Sequence, residues 1–437
     1  MAAAASVVKS PYPAARDLEA LRGVDGRIYP GWRTTGVAAV GLALGPTPIL
    51  VFAFSTFTPA LEREFGWGVG AISLGATLVM LMTVVGSLLA GALSDRFGSR
   101  RLVLWSLPLF AAAVAALSLL GPDIRWFYGG LVLIGLAAVG VWPVTYNKLT
   151  QQWFDRHLGM SLGLANAGLA LGAAALPVIA GFMIDRAGWR MAFIGLGLLA
   201  FILPWPLALA ALREKAIPAL QGAGHNAASP AVADPAVGMN FTQARGTREF
   251  WLALVGFMML GAASSSVVVH QMRILTDTGM TPQRAVALQS VIGIAMLVGR
   301  VCTGWLLDRM RAHLIMVVLC LAGTVALLLL AAGAPMGSAL LCAVLIGVLI
   351  GAEFDVLSFL IPRYFGRRAF GALYGVIFGA FQIAAAATIA VLGMARAATG
   401  SYSAGLVVVA LLLVVGGLCF SAFGAYRFAA PSRATDR

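Results

Sequence analysis

Long apolar runs, separated by short polar loops, fill almost the whole chain. They fall at 36–60, 71–94, 102–120, 126–148, 158–183 and 191–212, then at 250–272, 285–307, 314–332, 337–361, 370–394 and 403–426. A bilayer crossing takes about 20 helical residues. Backbone groups in lipid must be bonded within their own segment, so these runs are expected to be helices. The short alternating segments of a membrane β-barrel are absent. The pattern predicts an all-α integral membrane protein of twelve transmembrane helices in two six-helix halves. The expected divisions are a tail at 1–32, a bundle at 33–212, a linker at 213–248, a second bundle at 249–427 and a tail at 428–437. The linker opens with Arg213-Glu-Lys215 and continues through Ala, Gly, Pro and Asn, a composition that cannot bury a core.

Composition rules out a water-soluble chain: 60% of residues are hydrophobic, 11% are charged, and the mean hydropathy is +0.92. Soluble domains carry roughly 25% charged residues. The net charge of +13 raises the question of a nucleic-acid partner, but its placement answers otherwise. With the N-terminus inside, the cytoplasmic segments hold 22 of the 30 Lys and Arg, the outer loops hold 7, and Arg300 lies within a span. That bias places both termini in the cytoplasm of a multi-pass inner (plasma) membrane protein. Residues 1–32 have no apolar core, so no cleavable signal peptide is expected. Cys302, Cys320, Cys342 and Cys419 lie in apolar stretches without metal-ligand spacing, and neither a metal nor a cofactor is expected.

The chain repeats itself. Gly91-Ala-Leu-Ser-Asp-Arg-Phe-Gly-Ser-Arg-Arg101 recurs in outline as Gly304-Trp-Leu-Leu-Asp-Arg-Met-Arg311, 213 residues later. Trp153-Phe-Asp-Arg-His-Leu-Gly-Met-Ser-Leu-Gly163, entering span 5, is echoed by Tyr364-Phe-Gly-Arg-Arg-Ala-Phe-Gly-Ala-Leu-Tyr-Gly375, entering span 11. A duplicated set of hydrophobic spans marks a secondary transporter built from two related halves. The first motif resembles the signature that the major facilitator superfamily carries between its second and third helices. Gly91 permits close packing, Asp95 suits the positive end of a neighbouring helix, and Arg96, Arg100 and Arg101 suit acids or lipid phosphates. With Asp308 and Arg309 of the second copy they are candidates for a conformational latch; the plainer alternative is an ordinary basic loop.

Candidate binding chemistry is sparse. Arg300 is flanked by apolar residues in Gly299-Arg-Val-Cys-Thr-Gly304. A charge at that depth costs at least about 2.5–3.5 kcal/mol, so it calls for a cavity and a partner. Its guanidinium suits a carboxylate, although a structural brace is an open alternative. Glu353 and Asp355 in span 10 diverge by roughly 200° on a helix, so one can meet Arg300 while the other faces elsewhere. Either is a candidate proton carrier, and the sequence does not separate them. Asn147, Gln382, Thr47 and Ser55 are further candidates for substrate contact; the last two adjoin Pro46, Pro48 and Pro59, which should bend or break span 1. Lys148, Asn166, His270 and Gln271 are weaker candidates, each with a structural alternative.

Trp153-Phe154 before span 5, Gly188-Trp-Arg-Met-Ala-Phe193 opening span 6 and the Gly-Arg-x-x-x-Gly motif around Arg300 resemble a narrower branch. It is the branch of the monocarboxylate transporters and the oxalate:formate antiporter. The resemblance spans residues 33–426 and implies that Arg300 binds a substrate carboxylate. Two departures narrow the substrate class. The lysine that animal members carry in span 1 is missing, with Phe52 near its place. The second cation of the oxalate exchanger in span 11 is replaced by neutral residues such as Gln382. A clamped dianion is therefore disfavoured against a monoanion. The expectation is a monomeric, non-enzymatic, proton-coupled carrier of a small organic anion, a monocarboxylate, with the lipid bilayer and protons as its other partners. A drug or metabolite exporter is the alternative, and a membrane receptor or signalling protein a remote one.

Overall fold

The computed structural model describes residues 28–214, 238–277, 279–333 and 336–428. Most of the expected linker and the outer parts of both tails lie outside the described residues. The described chain is helical, with no named strand among those residues. The first half comprises α1 (Pro30–Ala43), α2 (Val69–Phe97), α3 (Ser99–Ala116) and α4 (Ile124–Ala137), followed by α5 (158–187) and α6 (189–202). The second half comprises α7 (Arg248–Asp277), α8 (Pro282–Leu307), α9 (Ala312–Ala331), α10 (Met336–Tyr364), α11 (Phe370–Thr399) and α12 (Ser403–Ser421).

Spans 1, 4 and 6 depart from simple rods, the last breaking at Leu203 before its continuation Pro204–Ala211. Span 1 breaks after Ala43 into a π-turn over Thr47–Phe52, a 3-10 turn over Phe54–Phe57 and a short helix Thr58–Phe65. Pro46, Pro48 and Pro59 lack the N–H that a continuous ladder needs, which accounts for the interruptions. Span 4 passes through a 3-10 turn at Ala138–Val141 and breaks at Trp142, whose extended backbone (φ −68, ψ 153) precedes Pro143 of the continuation Pro143–Gln151. The residue before proline is pushed out of the helical region, so Trp142-Pro143 ends one helix and starts the next. The loop expected between spans 5 and 6 is no more than a turn. Gly188 (φ 82, ψ 163) alone reverses the chain, and a Cβ on Gly195 would lie 2.8 Å from Met183 Sδ.

The 213-residue repeat holds in three dimensions on both sides of the molecule. On the side that carries Tyr29 and Phe428, α2 meets α11 and α5 meets α8. A Cβ on Gly91 would lie 2.2 Å from the Gly371 carbonyl oxygen, and one on Gly159 would lie 2.3 Å from that of Gly304. Where lipid supplies no hydrophobic drive between helices, such bare faces let backbones touch. On the opposite side each half is stapled within itself. Glu64 accepts from Trp189 Nε1 and Arg190, while Asp277 accepts from Arg396 at 2.7 and 3.2 Å, whose guanidinium lies over Tyr402. Glu64 and Asp277 are 213 residues apart, as are Trp189 and Tyr402.

Candidate functional site

Arg300 sits about 10 Å from the end of α8, at 1.5 Å per residue, one turn above the Gly159–Gly304 contact. It is 1% exposed, and the two acids of α10 are as deeply enclosed, Glu353 at 3% and Asp355 at 0%. Arg300 Nη1 donates to Asp355 Oδ1 at 3.3 Å. The other Asp355 oxygen, Oδ2, has no hydrogen-bond partner, and neither has Arg300 Nε. A guanidinium with five N–H donors therefore spends one of them on an acid held by one oxygen. Enclosed ion pairs favour folding only when the remaining donors and acceptors are satisfied, so this pair is held at a cost.

The two acids face different surroundings, as their divergence on a helix requires. Ser264 of α7 lies beside Glu353 within its own half, its buried hydroxyl without a hydrogen-bond partner. Glu353 Oε2 has no hydrogen-bond partner. Asp355 faces Arg300 and, across the interface, Asn166 of α5. From there a chain of amides joins the halves. Asn166 Nδ2 donates to Asn147 Oδ1 at 3.2 Å, and Asn147 Nδ2 donates to Ser358 Oγ of α10 at 2.9 Å. Tyr374 of α11 lies beside Asp355, Ser358 and Asn147 with its buried hydroxyl unpartnered. One enclosed cluster thus gathers Arg300, Asp355, Asn147, Asn166, Ser358 and Tyr374 from α4's continuation, α5, α8, α10 and α11.

Ser358 and Tyr374 do not stand out along the chain. Ser358 follows Asp355 by three residues, which puts both on one helix face, and that spacing was the available signal. Tyr374 offered none, since an aromatic in an apolar run looks like any core residue. Among the described residues, no hydrogen bond links Thr47, Ser55 or Gln382 to the cluster. Thr47 is half-buried at the head of the π-turn, Ser55 is exposed and donates to its own Phe52 carbonyl, and Gln382 is half-buried on α11. His270, on the far side of α7, has Ile389 O at 3.0 Å from Nε2 and Tyr402 Oη at 3.1 Å from Nδ1.

The residues considered for a latch divide into two groups. Asp308 reaches across the halves: its carboxylate accepts from Gly159 N at 2.6 Å and Met160 N at 3.0 Å, capping the first turn of α5. Asp95, its counterpart 213 residues earlier, instead pairs with Lys148 inside its own half. Arg100 also stays within its half, donating to the Leu212 carbonyl at 2.7 Å, while Glu214 accepts from Ser99 N and Arg100 N. Arg96 stacks on Phe97 and Arg309 on Trp305, and Arg101 is exposed. Further cross-half contacts come from residues outside that set. Arg363 donates to the Asp155 carbonyl, and Arg367 donates to the Phe154 carbonyl at 2.9 Å and the Asp155 carboxylate at 2.7 Å.

Among the described residues, twelve apolar spans in two halves, repeating at a fixed offset and enclosing a small polar cluster where they meet, define a secondary membrane carrier. The model of the Major Facilitator Superfamily matches residues 40–389, and the chain belongs to that family, whose members are transporters and not enzymes. It is 26% identical over 386 residues to monocarboxylate transporter 13 of Bos taurus, covering 85% of this chain and 86% of that protein. Among solved structures it is similar to the fucose:proton symporter FucP of E. coli, with TM-score 0.64, 16% identity, and 89% of this chain and 97% of that one covered. It is also similar to the human organic anion transporter MFSD10, with TM-score 0.67, 15% identity, and 90% and 99% covered. At those identities the structural likenesses establish the fold alone.

Proposed function

We propose that this chain is a proton-coupled carrier of a small organic monoanion, a monocarboxylate, acting as a monomer in the bacterial inner membrane by alternating access. The observation that carries the reading is Arg300: a guanidinium fully enclosed between the halves, with a single acid on it and donors to spare. A carboxylate matches the guanidinium fork with two parallel hydrogen bonds, which a lipophilic cation cannot do. The similarity to a monocarboxylate transporter over most of both chains supports the same substrate class.

The side sealed by the glycine contacts, Asp308 and Arg367 is read as the cytoplasmic face, with both termini on it, in keeping with the distribution of Lys and Arg. The state described is then one closed to the cytoplasm. The cluster of Arg300, Asp355, Asn147 and Ser358 lies directly above that seal, so a ligand seated on Arg300 competes with bonds that join the halves. Binding and opening are coupled in this way without any separate transmitter. The test is uptake of labelled short monocarboxylates into proteoliposomes under an inward proton gradient. Accumulation that collapses with the gradient supports the reading; uptake confined to lipophilic cations points to an exporter of drugs or metabolites.

A further inference from the structure

Resting on that reading, we propose that the two acids of α10 have separate duties: Asp355 is the exchangeable proton site that leaves Arg300 when substrate arrives, and Glu353 keeps its proton throughout the cycle. Position carries the distinction. Only Asp355 touches Arg300 by hydrogen bond and faces the other half through Asn166. Glu353 has Ser264 of its own half beside it, and among the described residues no hydrogen bond or ion pair joins it to the first half. An acid whose proton alternates with substrate must sit where substrate and both halves converge, and that describes Asp355.

Charge counting leads to the same place. Arg300 and Asp355 in this enclosed cluster and Glu353 beside it are its charged side chains, all 3% exposed or less, and the phenol of Tyr374 lies next to Asp355. Around Asp355, α8 presents Arg300, α5 presents Asn166 and α11 presents Tyr374. Span 4 presents Asn147 to Ser358, and α7 presents Ser264 to Glu353. The α9 side is apolar where Gly323 packs on Leu349. One cation and two acids are neutral only if one acid is protonated, and an enclosed, unpaired carboxylate is expensive. The acid that touches the guanidinium is the ionised one, which leaves the proton on Glu353. Loading then preserves that neutrality. The substrate carboxylate takes Asp355's place on Arg300, a proton from the side open to water binds Asp355, and the Arg300–Asp355 hydrogen bond is replaced by Arg300–substrate bonds. Charge in the cluster is zero before and after, so one proton accompanies each monoanion and the cycle moves no net charge.

The experiment uses the full chain in proteoliposomes, with pyruvate as the probe monoanion, a pH-sensitive dye inside and the membrane potential clamped with potassium and valinomycin. Wild-type carrier is expected to move one proton per anion with a rate unaffected by the potential. Two protons per anion would mean that both acids cycle, and would overturn the assignment. Asp355→Asn is expected to abolish proton movement and to make any remaining anion uptake sensitive to the potential, whereas Glu353→Gln, whatever its rate, keeps one proton per anion. The reverse pattern between the two variants would overturn the proposal. Should neither variant fold, infrared spectroscopy of the wild type decides. A protonated-carboxyl C=O band at neutral pH without substrate supports it, and no such band refutes it. Absence of any organic-anion uptake by the wild type would instead remove the underlying reading of function.

Discussion

Gly159→Ala is a sharp test of how the two halves are held together. The added Cβ would lie 2.3 Å from the Gly304 carbonyl oxygen, 2.7 Å from Leu307 Cβ and 3.0 Å from Asp308 Oδ1. Ordinary C–H···O contacts between helices run at about 3.3–3.6 Å, so α5 and α8 must separate by roughly 1 Å. Overpacking of this kind costs about 1–3 kcal/mol, and it falls only on the state in which these helices touch. The conformational equilibrium should therefore shift by about 5- to 150-fold toward the state open on that side. Spin labels at Arg101 and Arg368, exposed positions on either half of the same face, report the separation by pulsed electron resonance. The expected result is a longer-distance population that grows in Gly159→Ala. Gly36→Ala serves as control, because a Cβ there meets nothing within 4 Å. A distance distribution in Gly159→Ala identical to that of the wild type would refute the claim that this contact holds the closed state.

Three further outcomes rest on the same geometry. Asp308→Ala removes the acceptor of two N–H groups of α5 and should cost the closed state about 0.5–2 kcal/mol, while Asp95→Ala, whose partner lies in its own half, should move the label distances less. Ser358→Ala removes a cross-half bond from Asn147 worth about 0.5–1.5 kcal/mol, so the open population should rise about 2- to 12-fold in the same measurement. Hydrogen bonds from Trp189 and then Arg190 hold the Glu64 carboxyl below its ordinary value of 4.5. Its stabilisation is thus present above that value and lost as pH falls through the lowered one. Because the pair is exposed, Glu64→Gln should lower stability at pH 7 by no more than about 1 kcal/mol, and a melting curve at pH 3 should show the gap closed.

The spans and their duplication were legible because hydropathy and charge placement report the bilayer directly. Arg300 and the acids of α10 stood out for a related reason: lipid makes buried charge so costly that each instance needs an explanation. What could not be read was pairing across helices. Asp95 and Asp308 occupy equivalent places in the repeat, yet Lys148 takes the first while α5 takes the second, and nothing along the chain distinguishes them. Nothing along the chain sets Arg363 and Arg367 apart, since only the fold brings Asp155 to them. Breaks in span 1 were foreseen from its prolines, whereas Trp142-Pro143 interrupts span 4 because a single proline acts through the residue before it. Tyr374 shows the limit most plainly, since a phenol becomes part of a polar cluster only once five helices converge on it.

Substrate uptake in Arg300 variants is the most direct test of the central claim. Wild type, Arg300→Lys and Arg300→Ala would be reconstituted at matched, correctly folded amounts and compared for proton-driven uptake of labelled pyruvate. Loss of the bidentate grip should raise KM strongly in Arg300→Lys, since a lysine offers a point charge in place of a planar fork. Arg300→Ala should abolish accumulation altogether. Uptake in Arg300→Ala at the wild-type KM and rate would reduce Arg300 to a structural brace and contradict the account.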